Sequence, residues 1–301
     1  MTSHRAGLAS VLAAALLFST AGTAQALADV ASTPLGVGTA RLVVGTTLLV
    51  LLLPVFRQRR MDVLRLWREP AVLIAGACVG LYQWAFFAGV QGAGVALGTV
   101  LIIGSAPLIA GAIAWLVLRR RPSVTWLVTT LVGVLGLVLL SSAGIMSGNP
   151  GGVVASLTAG ACVAIYTVAV KTMLDRGVHP AVLLASTCAF GGLFLLPFAW
   201  TQPMGWLLEP RGIALALYLG VATLAIANTL QLRGIDALGP APVNTLMLAE
   251  PMLATIWGLL LLGESITMIG VVGLFLVLGG LVFEGVSLVA RPRRAAVSSS
   301  G

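Results

Sequence analysis

The chain has 301 residues, of which 59% are hydrophobic and only 9% charged, and its mean hydropathy is +1.07. A soluble domain carries about 25% charged residues, so a soluble enzyme or binding module is excluded. The net charge of +8 then reads as basic flanks of membrane spans beside anionic lipid, with no nucleic acid as partner.

Apolar runs of about 20 residues, each able to cross roughly 30 Å of hydrocarbon, predict ten spans at 6–28, 33–54, 70–90, 95–118, 123–143, 151–171, 179–200, 212–232, 240–262 and 266–289. The first run, "HRAGLASVLAAALLFSTAGTAQALA", also resembles a secretory signal with an A-x-A site, and cleavage there would leave nine spans. The run is long for a signal, and the repeat described below uses all ten. Span two begins near Pro34 and carries Arg41. The longest connections, 55–69 and 200–211, are too short to fold into domains, so any function lies within the bundle.

Basic residues orient the chain. Arg5, the arginines between spans two and three, Arg119–Arg121, Lys171, Arg176, Arg233 and the arginines after span ten place fifteen of seventeen basic residues at one end. That end is expected to be cytoplasmic, with both termini inside a cell (plasma) membrane. Trp67, Trp126, Trp200 and Trp206 sit near span ends, as interfacial tryptophans do. Cys78, Cys162 and Cys188 fall inside spans without a motif and are expected to pack as small apolar groups. His4 and His179 have no ligand spacing, and no G-x-x-x-x-G-K-[ST] occurs. No metal, cofactor or catalytic residue is expected.

Residues 94–142 echo 238–286 at an offset of 144, with Pro107 on Pro251 and Gly136 on Gly280; Pro34 matches Pro180 and Gly45 matches Gly191 at an offset of 146. Five spans per unit is an odd number, so the two units enter the membrane from opposite sides. The expected fold is therefore an all-α integral membrane protein, ten transmembrane helices as two inverted five-helix repeats. The expected boundaries are 1–147 and 148–290, with a cytoplasmic basic tail at 291–301. Inverted repeats with a midplane site are a transporter architecture.

The stretch "GPAPVNTLMLAEPMLATIWGLLLLGESITMIGVVGLFLVLGG" (239–280) resembles the last two helices of an EamA-type member of the drug/metabolite transporter superfamily. The matching features are Pro251 in mid-helix, Gly258, the "LLLLGE" ending at Glu264, Gly270 and Gly279–Gly280. The first repeat keeps Pro107 but has Arg119 and Arg120 where the second has Gly263 and Glu264. Arg41 also resembles an arginine of that family. The resemblance implies a carrier of small metabolites, often an exporter of amino acids or related compounds, working by alternating access.

Glu250 is the first candidate for substrate binding or coupling, because an intramembrane acid usually faces a cavity or a partner. Pro251 cannot donate to the Met247 carbonyl, which is expected to be free for substrate or water. Arg41 is expected at a similar depth. If the two touch, Glu250 stays ionised; if they do not, the low dielectric favours the protonated acid and suits a proton carrier. Tyr82, Gln83, Trp84, Tyr166, Asn228 and Asn244 are further polar candidates, with interhelical hydrogen bonding as their structural alternative. Pro251 and Pro107 are expected to kink their helices. Glu264 is read as a helix end, and Glu284 as an acid near the basic end screened by Arg291 or Arg293. The expected partners are a small-molecule substrate and the lipid bilayer, with a homodimer left open. A non-transporting membrane protein, a channel or a lipid-modifying enzyme is the alternative.

Overall fold

The computed structural model describes residues 2–119, 121–142, 149–263 and 265–290. Among them all regular structure is helical: α1 (Thr2–Ala28), α2 (Pro34–Leu52), the short α3 (Arg60–Arg65), α4 (Pro70–Ala93), α5 (Val95–Leu118), α6 (Val124–Leu140), α7 (Pro150–Asp175), α8 (Pro180–Ala199), α9 (Pro210–Tyr218), a π-helical segment (Leu219–Ile226), α10 (Ala227–Leu238), α11 (Pro240–Leu246), α12 (Ala249–Leu261) and α13 (Met268–Ala290). Nine segments, α9–α10 and α11–α12 each counted as one, are long and apolar enough to cross a membrane, and α6 is a shorter apolar helix. The ten expected spans are thus present. Glu264, Arg120 and the 291–301 tail lie outside the described residues.

The helix starts follow from local chemistry. Six of the spans open with proline in the first turn, where no amide donor is needed. Side chains of Thr33, Ser123 and Asn149 accept from the first-turn amides of α2, α6 and α7. Gly94 and Gly239, at φ 85° and 88°, make the tight turns between α4 and α5 and between α10 and α11. A side chain would be strained there.

The close helix contacts repeat under a two-fold exchange of the halves. A Cβ added at Gly136 of α6 would lie 2.7 Å from the Val277 amide nitrogen and 2.8 Å from the Gly273 carbonyl oxygen of α13. A Cβ at Gly280 would meet Thr129 and Gly133 of α6, each 144 residues before its counterpart. Likewise Gly7 meets Ala237 and Leu238, while Gly152 meets Gly92 and Ala93, at an offset of 145. The third helix of each half therefore packs on the first helix of the other. Small residues let the backbones approach, as expected where lipid supplies no hydrophobic drive between helices.

Two tryptophans depart from the interfacial reading. Trp126 is 4% exposed and donates to Thr245 at 2.9 Å, and Trp206 is 3% exposed. Each has a partner helix over its ring, so burial wins over the water interface. Trp67 donates to the Ser186 carbonyl, and Trp200 is exposed. Pro107 lies inside an unbroken α5, so the helix is not interrupted there. The three cysteines are buried and unbridged, as expected.

Candidate functional site

Arg41 of α2, Tyr82 of α4 and Glu250 of α12 lie within electrostatic range of one another, each near the middle of its span. Arg41 and Glu250 make no direct ion pair among the described residues. The guanidinium sits instead 5.8 Å over the Phe18 ring of α1 and donates Nη2 to the Thr223 carbonyl at 3.4 Å. Its Nε is buried without a partner. The Glu250 side chain is half-buried and makes no hydrogen bond among the described residues. A basic and an acidic side chain thus stand within electrostatic range of each other at mid-depth, with hydrogen-bonding capacity unspent.

The acid reaches this place through a break in the ninth span. The chain leaves the α-helix at Met247–Leu248 and re-enters it at Ala249, so Pro251 falls in the first turn of α12. A missing amide costs nothing in a first turn, which is why the break precedes the proline. The Met247 carbonyl is not free: the Glu250 amide takes it at 3.0 Å, and the Leu248 amide takes the Thr245 carbonyl at 3.1 Å. These tightened i→i−3 bonds correct the expectation of an open acceptor.

The other candidates divide. Tyr82 belongs to the group, its ring centroid 5.7 Å from that of Phe86. Tyr166 is buried beside Thr187 and Cys188 of α8, and Cys188 is within electrostatic range of Arg41. Gln83 is buried and bonds to nothing among the described residues. Trp84 is 47% exposed and, two residues from Tyr82, points to the opposite side of α4. It lies apart from the charges. Asn244 is 2% exposed with both amide hydrogens used, on Thr167 Oγ1 and the Pro240 carbonyl. It ties α11 to α7. Asn228 donates to the Thr223 and Leu224 carbonyls at 3.2 and 2.9 Å. Glu284, read from sequence as a screened acid near the helix end, is fully buried and accepts from Thr129 at 2.8 Å. The packing of α13 on α6 encloses it.

Phe18, Thr223 and Cys188 are part of the group although the sequence reading passed over the first two and took Cys188 only as small apolar packing. Phe18 and Cys188 carry no sequence signal of their own. Thr223 has none either: the repeat offset falls from 146 to 144 along the chain, a net shortening of the second half and so opposite in sign to an inserted residue there.

The two ends of the bundle differ. At the basic end Lys171 is 3% exposed and pairs with Asp175 at 2.7 Å and Asp236 at 3.5 Å, and Arg176 pairs with Glu69 of the other half at 3.1 Å. At the opposite end an open surface depression of about 390 Å³ is lined by Gly22, Gln25, Asp29 and neighbours. Gly22 and Gln25 share the face of α1 that carries Phe18, at i+4 and i+7, and Asp29 follows the end of that helix.

A model of the EamA-like transporter family matches residues 5–142 and again 150–284. An uncharacterized transporter of Bacillus subtilis (strain 168), YwfM, is 35% identical over 94% of this chain and 94% of its own. The threonine/homoserine exporter RhtA of Salmonella typhimurium (strain LT2) is 25% identical over 95% of this chain and 93% of its own. A solved crystal structure, 19% identical, superposes with a TM-score of 0.78 over 96% of this chain and 99% of that one, and it shares the fold. With the family matched once in each half, and the halves related by the packing described above, the chain belongs to the EamA-like transporter family and is a multi-pass membrane transporter.

Proposed function

We propose that the protein exports a small zwitterionic metabolite, an amino acid or a related compound, by alternating access, with proton entry through Glu250 as the driving step. The observation that carries this reading is the unpaired juxtaposition of Arg41 and Glu250 beside Tyr82 at mid-span. An α-amino acid presents a carboxylate and an ammonium a few ångströms apart. It would give each protein charge a partner in the low-dielectric interior, where an unpaired charge is costly. The name of the RhtA relatives points the same way. The basic end is the cytoplasmic one on this reading, both termini lie inside, and the repeats divide at 147/148. The ion pairs that close the basic end suit a conformation open to the outside.

The test is uptake of radiolabelled homoserine and threonine into inside-out proteoliposomes, with and without a pH gradient. Gradient-stimulated uptake that Glu250→Gln makes insensitive to the gradient is expected. Uptake indifferent to the gradient in both proteins would remove the coupling. No uptake of any α-amino acid would remove the substrate class.

A further inference from the structure

The π-helical segment breaks the internal symmetry by one residue, at the point where Arg41 docks. A Cβ added at Gly45 of α2 would meet the Gly220 carbonyl at 2.7 Å and the Leu224 Cβ at 2.8 Å. At the matching position, Gly191 of α8, it would meet the Gly76 carbonyl at 2.9 Å and the Val79 Cβ at 2.8 Å. Gly220 in turn packs on Val44, and Gly76 on Phe190, 146 residues later. So Gly220 corresponds to Gly76 and Leu224 to Val79. The first interval is four residues and the second three. Along the rest of α10 the register is 145, with Gly234 on Val11 matching Gly89 on Ser156. The extra residue lies between Gly220 and Leu224, within the π segment. Its counterpart α4 is α-helical throughout.

An inserted residue has a defined hydrogen-bonding consequence. Where an i→i−5 ladder returns to i→i−4, one carbonyl is passed over. The Ala227 amide still bonds to the Ala222 carbonyl, so the next carbonyl in line is that of Thr223. That carbonyl accepts from two side chains, Asn228 Nδ2 at 3.2 Å and Arg41 Nη2 at 3.4 Å. At the symmetry-related position of Arg41 stands Thr187, whose hydroxyl bonds within its own helix, to Leu183 and Leu184.

We infer that the inserted residue is a positioning device for Arg41: the passed-over Thr223 carbonyl, steadied by Asn228, holds the guanidinium beside Glu250 but off it, and so keeps both charges available to a ligand with an anionic group. Without that acceptor, the nearest strong partner for the guanidinium is the Glu250 carboxylate, and the pair would satisfy itself. Thr223 and Asn228 act through Arg41 and need not touch the ligand. The ligand class rests on the reading of the previous subsection; the positioning does not.

Deletion of Ala222 restores the three-residue interval that α4 tolerates at the same packing surface, so the variant is expected to fold. Two measurements are made in detergent-solubilised full-length protein. The first is a double-mutant cycle on thermal stability between Arg41→Met and Glu250→Gln, run in the natural background, in the Ala222 deletion and in Asn228→Ala. Modest coupling in the natural background, rising clearly in both altered backgrounds as a direct ion pair forms, is expected. Strong coupling already present in the natural background, or equal coupling in all three, overturns the proposal. The second is homoserine uptake. Asn228→Ala loosens the Thr223 carbonyl, and with it the guanidinium, and is expected to raise KM several-fold, with a smaller effect on the maximal rate. An unchanged KM overturns it. If the natural protein takes up no homoserine, the substrate reading fails and the stability cycle alone decides the positioning. If the deletion does not fold, Asn228→Ala carries both measurements.

Discussion

Two glycines of α13, six residues apart, are expected to respond oppositely to the same substitution. At Gly279 an added methyl group meets nothing within 4 Å, so Gly279→Ala adds a helix former on an open face and is expected to stabilise by about 0.5–1 kcal/mol. At Gly273 the same methyl would lie 2.5 Å from the Gly136 carbonyl oxygen and 2.9 Å from the Leu139 carbonyl carbon, where ordinary contact begins at 3.4 Å. The shortfall against Gly136 is about 0.9 Å, and it is set by backbone atoms, which no rotamer change can move aside. α6 and α13 must therefore separate along much of their length, or the two helices must rotate. Overpacking of this kind costs about 1–3 kcal/mol, only partly offset by the gain in helix propensity. The two variants should differ by about 1–3 kcal/mol, Gly273→Ala being the less stable. Thermal unfolding of the detergent-solubilised variants, followed by loss of monodispersity on size exclusion, measures this. Equal midpoints for the two would mean that α6 and α13 do not approach along this line, and the two-fold packing argument would lose one of its close contacts.

Tyr82→Phe is expected to lower homoserine uptake several-fold, whereas Trp84→Leu leaves it within about twofold, since only Tyr82 stands with the charges; initial rates in proteoliposomes compare them. Asn244→Leu removes two buried hydrogen bonds and is expected to cost about 1–2 kcal/mol in thermal stability, with the KM for transport unchanged, because its amide is committed to α7 and its own helix. Lys171→Met leaves Asp175 and Asp236 without their common cation. Their carboxylates are partly exposed, so the loss is expected to be about 1–2 kcal/mol rather than the larger cost of a wholly buried pair, read as a fall in the unfolding midpoint. If the Lys171 pairs hold the basic end shut, the same variant also shows faster thiol labelling of a cysteine placed at Gln231.

What the sequence disclosed followed from periodicity and composition. Ten spans, six proline starts and the one-sided arginines are written in residue type, and the match of Pro107 to Pro251 and Gly136 to Gly280 carried the repeat. Side-chain partnership was less visible. Asn244 and Asn228 look equivalent as isolated polar residues in apolar runs, yet one cross-links two helices and the other tends a backbone carbonyl. Trp126 and Trp206 lie near span ends by number and are nevertheless covered. Pro251 announced a disturbance but not its direction. The helix breaks before the proline because that places the missing amide in a first turn, and the carbonyl predicted to be free is taken by the Glu250 amide. The π segment was out of reach of hydropathy, since "LGVATLAI" is as apolar as its neighbours. The slip in repeat register did not point to it either, since the offset falls from 146 to 144 where an insertion in the second half would raise it.

The repeat itself limits where the charges can act. Exchange of the halves carries Arg41 onto Thr187 and Glu250 onto Ala106, so a symmetric protein would present two such pairs and this one presents one. Its charged residues come from α2 and α12, with Phe18 from α1 and the Thr223 carbonyl from the π segment, while the uncharged Tyr82 and Cys188 join from α4 and α8 across the pseudo-two-fold. By the contacts above, α1, α2 and the π segment pack on one another, and Trp257 of α12 donates to Ser19 of α1 at 3.0 Å. The charged group is thus assembled on one side of the pseudo-two-fold, while the matching side offers a hydroxyl and a methyl group. Alternating access by exchange of the two halves' conformations would then carry the charges with one set of helices past a neutral counterpart, rather than hand a ligand from one charged pair to another. The inserted residue lies on that same side, which is where a symmetry-breaking change has to lie if its purpose is to hold Arg41.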